Sequence, residues 1–195
     1  METNGTATNV SSTTIGNVAT SGSVKMVSKA ERNSWRNIQV SNIYTNSYNY
    51  NRTLDSHMMK NEEWGAVAYL AHSKYGRNRT EVTINNNNQY MTGYGGDTVT
   101  ATNTNNTGTA ANQWTGDKGK LASTTGNVYG IYDMSGGARE YTAAYVNNGN
   151  ASLSSNAGSL VAAEAKYKDV YAVGSPDNQA NNYNANSSKK RRCGI

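Results

Sequence analysis

Apolar positions recur with helical spacing most clearly over residues 61–75. Trp64, Val67, Ala68, Ala71 and Tyr75 fall at i, i+3, i+4, i+7 and i+11, which places them on one stripe. Asn61 stands where a cap accepts free N–H groups, and Glu62 and Glu63 follow where the helix dipole favours negative charge. Lys74 in the last turn and Gly76 beyond it supply a left-handed stop. The spacing therefore predicts a helix over 61–75 with that stripe buried. A shorter helix is predicted with Ser41 as N-cap and Ile43, Tyr44 and Tyr48 on one face, after an extended stretch in which Ile38 and Val40 alternate with polar residues. Tyr141, Ala143 and Tyr145 alternate as a strand does, following a turn on Gly136 and Gly137. Residues 79–84 read as a short strand and 160–165 as a helical turn.

Between these elements lie long polar stretches. Residues 85–117 are rich in Asn, Thr and Gly and carry Tyr90, Tyr94, Val99 and Trp114 as their apolar anchors. A segment of that length without its own secondary structure is usually functional or disordered. Residues 1–23 read as a polar linker, a folded domain is expected over 24–188, and 189–195 form a basic tail.

Composition narrows the picture. Hydrophobic residues make up 35% of the 195-residue chain and charged residues only 16%, while Asn alone contributes 29 positions. The chain is polar without being highly charged, and its 14 Tyr and 3 Trp can build a core that a disordered chain lacks. With no Phe, that core is expected to be small and loop-rich. The net charge is +5, but Lys189, Lys190, Arg191 and Arg192 account for four of those charges, and the remainder is near neutral. Nucleic-acid binding is accordingly not the expectation for the domain. The single cysteine, Cys193, excludes an intramolecular disulfide and a cysteine-based metal site within this chain. No apolar run approaches the ~18 residues of a membrane span, and residues 1–23 do not read as a signal peptide.

Two stretches carry a resemblance to a known family. HMMKNEEWGAVAYLA at 57–71 resembles the helix motif of the formylglycine-generating (sulfatase-modifying-factor) enzymes, with Glu63 and Trp64 matching. NVYGIYDMSGGAREY at 127–141 resembles the same family's Asn-x-Tyr/Trp-Gly-Leu-Tyr-Asp-Met-x-Gly-Asn-Val-Trp-Glu-Trp signature, matched by Asn127, Gly130, Tyr132, Asp133, Met134, Gly136 and Glu140. SWRNIQVS at 34–41 resembles a further segment, and the wording of both main motifs is similar to that of Gram-positive bacterial surface or pilin-like proteins. The resemblance spans roughly residues 33 to 188. It implies an α+β, C-type-lectin-like fold with a small twisted antiparallel sheet, a few helices and much loop. The ending matches none of the family's closing strands, so a truncated chain is expected.

The enzymes of this family hold copper with a late cysteine pair, and one thiol cannot supply that site. No catalytic residue is therefore assigned. In relatives the turn of the second motif surrounds calcium. Carried over, the ligands are Asp133, the carbonyls of Gly136 and Ala138, and Glu140. A glycine-rich turn beside two carboxylates suits an ion that takes six to eight oxygens. The departures are Gly137 where Asn is usual and Arg139 where Trp is usual. Arg139 offers the carboxylates an ion-pair partner instead, and a turn held by carboxylate hydrogen bonds to backbone N–H groups is the alternative reading.

The remaining motifs carry less. His57 and His72 have no partner at ligand spacing, and no nucleophile-elbow motif supports a Ser/His/Asp triad. Asn51, Asn78 and Asn150 begin glycosylation-type triplets that an Asn-rich chain contains by chance. GYGGD at 93–97 follows no clear strand and is expected in a surface loop rather than on a phosphate. Tyr90, Tyr94 and Trp114 are candidates for stacking on a glycan or a partner protein. The expected function is a non-catalytic structural or ligand-binding head of an extracellular or cell-surface protein. The alternatives are a formylglycine-generating oxidase and a binder of anionic surfaces or nucleic acid through the basic tail.

Overall fold

Tyr44 follows Val40 by about one helical turn and Ser47 follows Tyr44 by another, and these three are the buried residues of helix α1, Val40–Asn49. The computed structural model describes residues 2–3, 26–32, 34–35, 38–96, 109–172 and 190–191. Among them are two further α-helices, α2 (Asn61–His72) and α3 (Ala151–Val161). Six short strands complete the order: β1 (Glu2–Thr3), β2 (Met26–Val27), β3 (Glu140–Tyr141), β4 (Ala144–Asn147), β5 (Asp169–Ala172) and β6 (Lys190–Arg191). The architecture is α+β, with a large share of irregular backbone.

The core forms where α1 meets α3. Leu153, Ala157 and Leu160 repeat the i, i+4, i+7 spacing on α3 and are its buried residues. They join Val40, Tyr44, Met58, Ala143, Tyr145 and Tyr167 in one apolar cluster, with Ile43 and Tyr48 packed against it. Ser41 lies inside α1 rather than capping it: Gln39 is the N-cap, and the Ser41 hydroxyl accepts a hydrogen bond from the backbone N–H of Ser159 at 3.2 Å. That bond stitches the two helices at the point where α3 departs from helical geometry, at Ala157 (φ −132°, ψ 24°). The helical turn expected over 160–165 is in fact the end of this eleven-residue helix, followed by a 3₁₀ turn at Ala165–Tyr167.

Helix α3 also changes the sheet. Strand β4 pairs with β5 in parallel, with Ala144 opposite Asp169 and Asn147 opposite Ala172. Parallel neighbours need a long crossover, and α3 supplies it, giving a β-α-β unit where an antiparallel sheet was expected. The other pairs, β1 with β2 and β3 with β6, are antiparallel and two-stranded. Part of the expected linker and part of the basic tail thus pair with the domain; the rest of 1–25 and of 173–195 lies outside the described residues. The stretch 79–84 forms no strand, although Thr83 N–H donates to the Leu121 carbonyl at 3.1 Å.

Helix α2 begins at Asn61 and ends three residues early. Asn61 is its first residue and not the expected cap: Lys60 holds the N-cap position, and the Asn61 side-chain amide donates to the Tyr171 hydroxyl at 3.0 Å. Its stripe is half-buried at Trp64, Val67 and Ala68 and buried at Ala71, but Tyr75 lies beyond the helix and is 79% exposed. Gly76 does not take a left-handed conformation. It is required for a different reason, since a Cβ there would sit 2.4 Å from the Ala71 carbonyl oxygen. The N-terminal cap is equally non-local. The Asp169 carboxylate, on β5, accepts from the N–H groups of Asn61 at 2.9 Å and Glu62 at 3.2 Å. Glu63 reaches back to the Lys60 N–H at 2.8 Å.

Candidate functional site

Residues 84–96 and 131–140 are held together by one buried amide and one carboxylate. Asn85, 2% exposed, forms a parallel bridge with Gly136, and its backbone N–H donates to Ser135 O at 2.9 Å while its carbonyl accepts from Gly137 N–H at 2.7 Å. Only glycine fits at 136. Its φ is 82°, and a Cβ would lie 2.4 Å from the Asn85 oxygen. The Asn85 side chain donates to Met91 O and to Asp133 Oδ1, both at 2.7 Å. Asp133, itself at a positive φ of 63°, accepts from Gly93 N–H at 3.0 Å through Oδ2. Burial raises the pKa of this carboxyl, against the lowering effect of the Asn85 and Gly93 hydrogen bonds.

Glu140 stands at the start of β3, and its Oε2 accepts from Trp64 Nε1 of α2 at 3.4 Å. Burial first, and the charge of Asp133 second, push its pKa up from 4.5 to about 7. Asp133, Gly136, Ala138 and Glu140 are among the residues that line a cavity of about 840 Å³. Arg139 is exposed and forms no ion pair with either carboxylate among the described residues. The ion-pair alternative for this turn is absent there. The hydrogen-bonded-carboxylate alternative describes Asp133 as it stands.

These residues fit a calcium ion in charge and partly in number. Two desolvated carboxylates with no ion-paired lysine or arginine among the described residues suit a divalent ion, and the carbonyls of Gly136 and Ala138 bring the set to four oxygen-bearing groups, leaving further positions to water. Among the described residues no cluster of three or more His, Cys, Asp or Glu is arranged to hold a metal.

The aromatic candidates separate. Tyr90 lines the cavity, together with Trp35, Trp64, Tyr132 and Tyr141. Tyr94 is 5% exposed and bridges to Gln113, so it belongs to the interior and not to a stacking surface. Trp114 is half-buried, and its carbonyl accepts from the Tyr132 hydroxyl at 2.9 Å. The GYGGD stretch is likewise interior over 93–96 rather than a surface loop, with Gly95 and Asn112 exchanging hydrogen bonds at 2.9 and 2.7 Å. Asp97 lies outside the described residues.

Each histidine has a single glutamate. His57 contacts Glu63 Oε1 at 3.2 Å and the Asp55 carbonyl at 2.7 Å, which together raise its pKa, the carbonyl more. His72 contacts Glu81 Oε1 at 2.8 Å on an exposed flank. Asn51 and Asn150, read as chance glycosylation triplets, act as caps: Asn51 Oδ1 accepts from Thr53 and Leu54, and Asn150 Oδ1 from Ser152. Reading the sequence missed Asn85, Gly93 and Trp64 as partners of the carboxylates. The run of four asparagines at 85–88 was the available signal, because a buried Asn offers both a donor and an acceptor.

Comparison of the chain with protein-family models, with curated proteins and with solved structures finds no match.

Proposed function

We propose that the chain is a non-catalytic binding head, of C-type-lectin-like fold and related to the formylglycine-generating family, carried by a bacterial cell-surface or pilin-like protein. The observation that carries this reading is the aromatic-lined cavity whose wall holds Asp133 and Glu140. Carboxylates and aromatic faces side by side are the equipment of recognition: the first fix charge or hydroxyl groups, the second offer flat area at low entropic cost. An extracellular setting and a glycan or surface-protein partner follow from the same reading. Calcium belongs to it as a structural ion held by Asp133, Glu140 and the carbonyls of Gly136 and Ala138. When bound, it supplies charge neutralisation between the two carboxylates. The protein's own part is to fix that geometry, through the Asn85–Gly136 bridge and the Trp64 hydrogen bond.

Thermal unfolding followed by circular dichroism, in excess calcium and then in chelator, tests the proposal. A cooperative transition raised by several degrees in calcium, with the rise abolished in Glu140→Ala, is the expected result. A transition indifferent to calcium removes the ion. Oxygen consumption in the presence of a cysteine-containing peptide would overturn the non-catalytic assignment in favour of an oxidase.

A further inference from the structure

We propose that His57 works as a pH-operated latch on helix α2: its imidazolium holds Glu63 in the cap of that helix, and loss of the proton lets Glu63 go and loosens the side of the cavity that carries Trp64. The latch goes beyond the binding-head reading and does not depend on what the cavity holds. Its foundation is that both ring nitrogens of His57 face acceptors. Nδ1 lies 2.7 Å from the Asp55 carbonyl oxygen, and Nε2 lies 3.2 Å from Glu63 Oε1. Only the imidazolium has an N–H for each. Either neutral tautomer leaves one acceptor facing a lone pair, and with the closer carbonyl served, that acceptor is Glu63. The contact then changes from attraction to repulsion.

Glu63 carries the change into the helix. Its other oxygen, Oε2, accepts from the Lys60 backbone N–H at 2.8 Å, so one carboxylate joins His57 to the N-terminus of α2. The Lys60 ammonium is a poor substitute for the imidazolium, because it lies 2.5 Å from Glu62 Oε1 and 4.0 Å from Glu63 Oε1. Trp64 follows Glu63 in the chain and donates to Glu140, and His57, Trp64 and Glu140 all line the cavity. The turn behind His57 is anchored separately. Asp55 accepts from the Tyr167 hydroxyl at 2.6 Å and is flanked by Arg52 at 3.5 Å and Lys166 at 3.9 Å, while the Tyr167 ring stands 5.6 Å from the imidazole. Arg52 also donates to the carbonyls of Tyr48 and Ser56. Glu63 is therefore the part that moves. Hydrogen bonding to the Asp55 carbonyl first, and to Glu63 as well, raises the pKa of His57 from 6.5 against the lowering effect of burial. The latch is fully set below 6.5 and released as pH rises through the raised value.

Hydrogen exchange of the full chain in chelator, corrected for intrinsic rates and compared between about pH 5.5 and about pH 8.5, tests the latch. Protection at the Lys60 amide should fall about threefold or more over that rise. The amides of Asn61 and Glu62, which Asp169 caps, should fall less. The midpoint of the fall should coincide with the titration of His57 followed by its imidazole NMR signals, a comparison that needs no variant. His57→Gln should abolish the fall, whereas His72→Gln, on the exposed flank, should leave it in place. Glu140 titrates at about 7, in the same range, so Glu140→Gln separates the two groups: the fall persists there when His57 is the sensor. Glu63→Gln should return the His57 titration toward 6.5. A fall that survives in His57→Gln, disappears in Glu140→Gln or has a midpoint apart from the His57 titration overturns the proposal.

Discussion

Glu140 takes its chemistry from where it is placed. An exposed glutamate ionises near 4.5, whereas burial and the charge of Asp133 push this one up to about 7. The folded state then retains a proton that the unfolded chain has already released. A destabilisation accordingly builds as pH rises from about 4.5 to about 7 and is complete above that window. Its size is on the order of 3 kcal/mol, at about 1.4 kcal/mol for each pH unit. Glu140→Gln abolishes this titration while keeping an oxygen for Trp64 Nε1. Denaturant unfolding without calcium should show the parent losing stability between pH 5 and pH 8, and the variant exceeding it at pH 8 with a shallower slope. The slope does not vanish, because His57, whose pKa is raised, also contributes stability that is lost as pH rises through its folded value. A variant as pH-dependent as the parent would place the titration elsewhere. None of this was legible in the motif. The sequence placed a carboxylate at 140, but its pKa depends on the distance to Asp133 and on the covering aromatic residues.

At the scale of elements, helix α3 shows how a real signal is diluted. Leu153, Ala157 and Leu160 have helical spacing, yet the positions between them are Ser, Asn and Gly, which compete with helix hydrogen bonding or lower its propensity. The element survives because packing against α1 outweighs propensity. Leu160, with 0% exposure, belongs to the apolar cluster where the two helices meet. Leu160→Ala should cost about 2–5 kcal/mol through lost burial and the cavity left behind. A thermal midpoint within a degree of the parent would mean that α1 and α3 do not pack as described. Helix α2 shows the reverse case. Its start was legible from Glu62 and Glu63, but its end was not, because a helix stops where its stripe runs out of partners, and Tyr75 has none to bury against.

At the scale of the whole molecule, β5 is tied to α2 by a long-range contact outside the core. Asp169 satisfies two N–H groups of α2 across 108 and 107 residues of chain. It therefore links the β-α-β unit to the helix that carries Trp64. Asp169→Ala should destabilise the protein by about 1–2 kcal/mol, the usual cost of losing a helix cap. It should also speed hydrogen exchange at the amides of residues 61 and 62. Unchanged exchange there would show that water caps the helix equally well.

Read by itself, the chain determined its periodic and punctuated features: the start of α2, a helix near 41–48, the strand after 141 and the glycine turn at 136–137. These depend on neighbours along the chain, through side-chain spacing, dipole and backbone sterics. Tertiary structure decided the rest. It made β4 and β5 parallel, put Tyr94 in the interior, gave α2 a cap from the far end of the domain and brought Trp64 to Glu140. Each of those outcomes depends on which distant surfaces are buried together, and burial is a property of the assembled fold that no local pattern encodes.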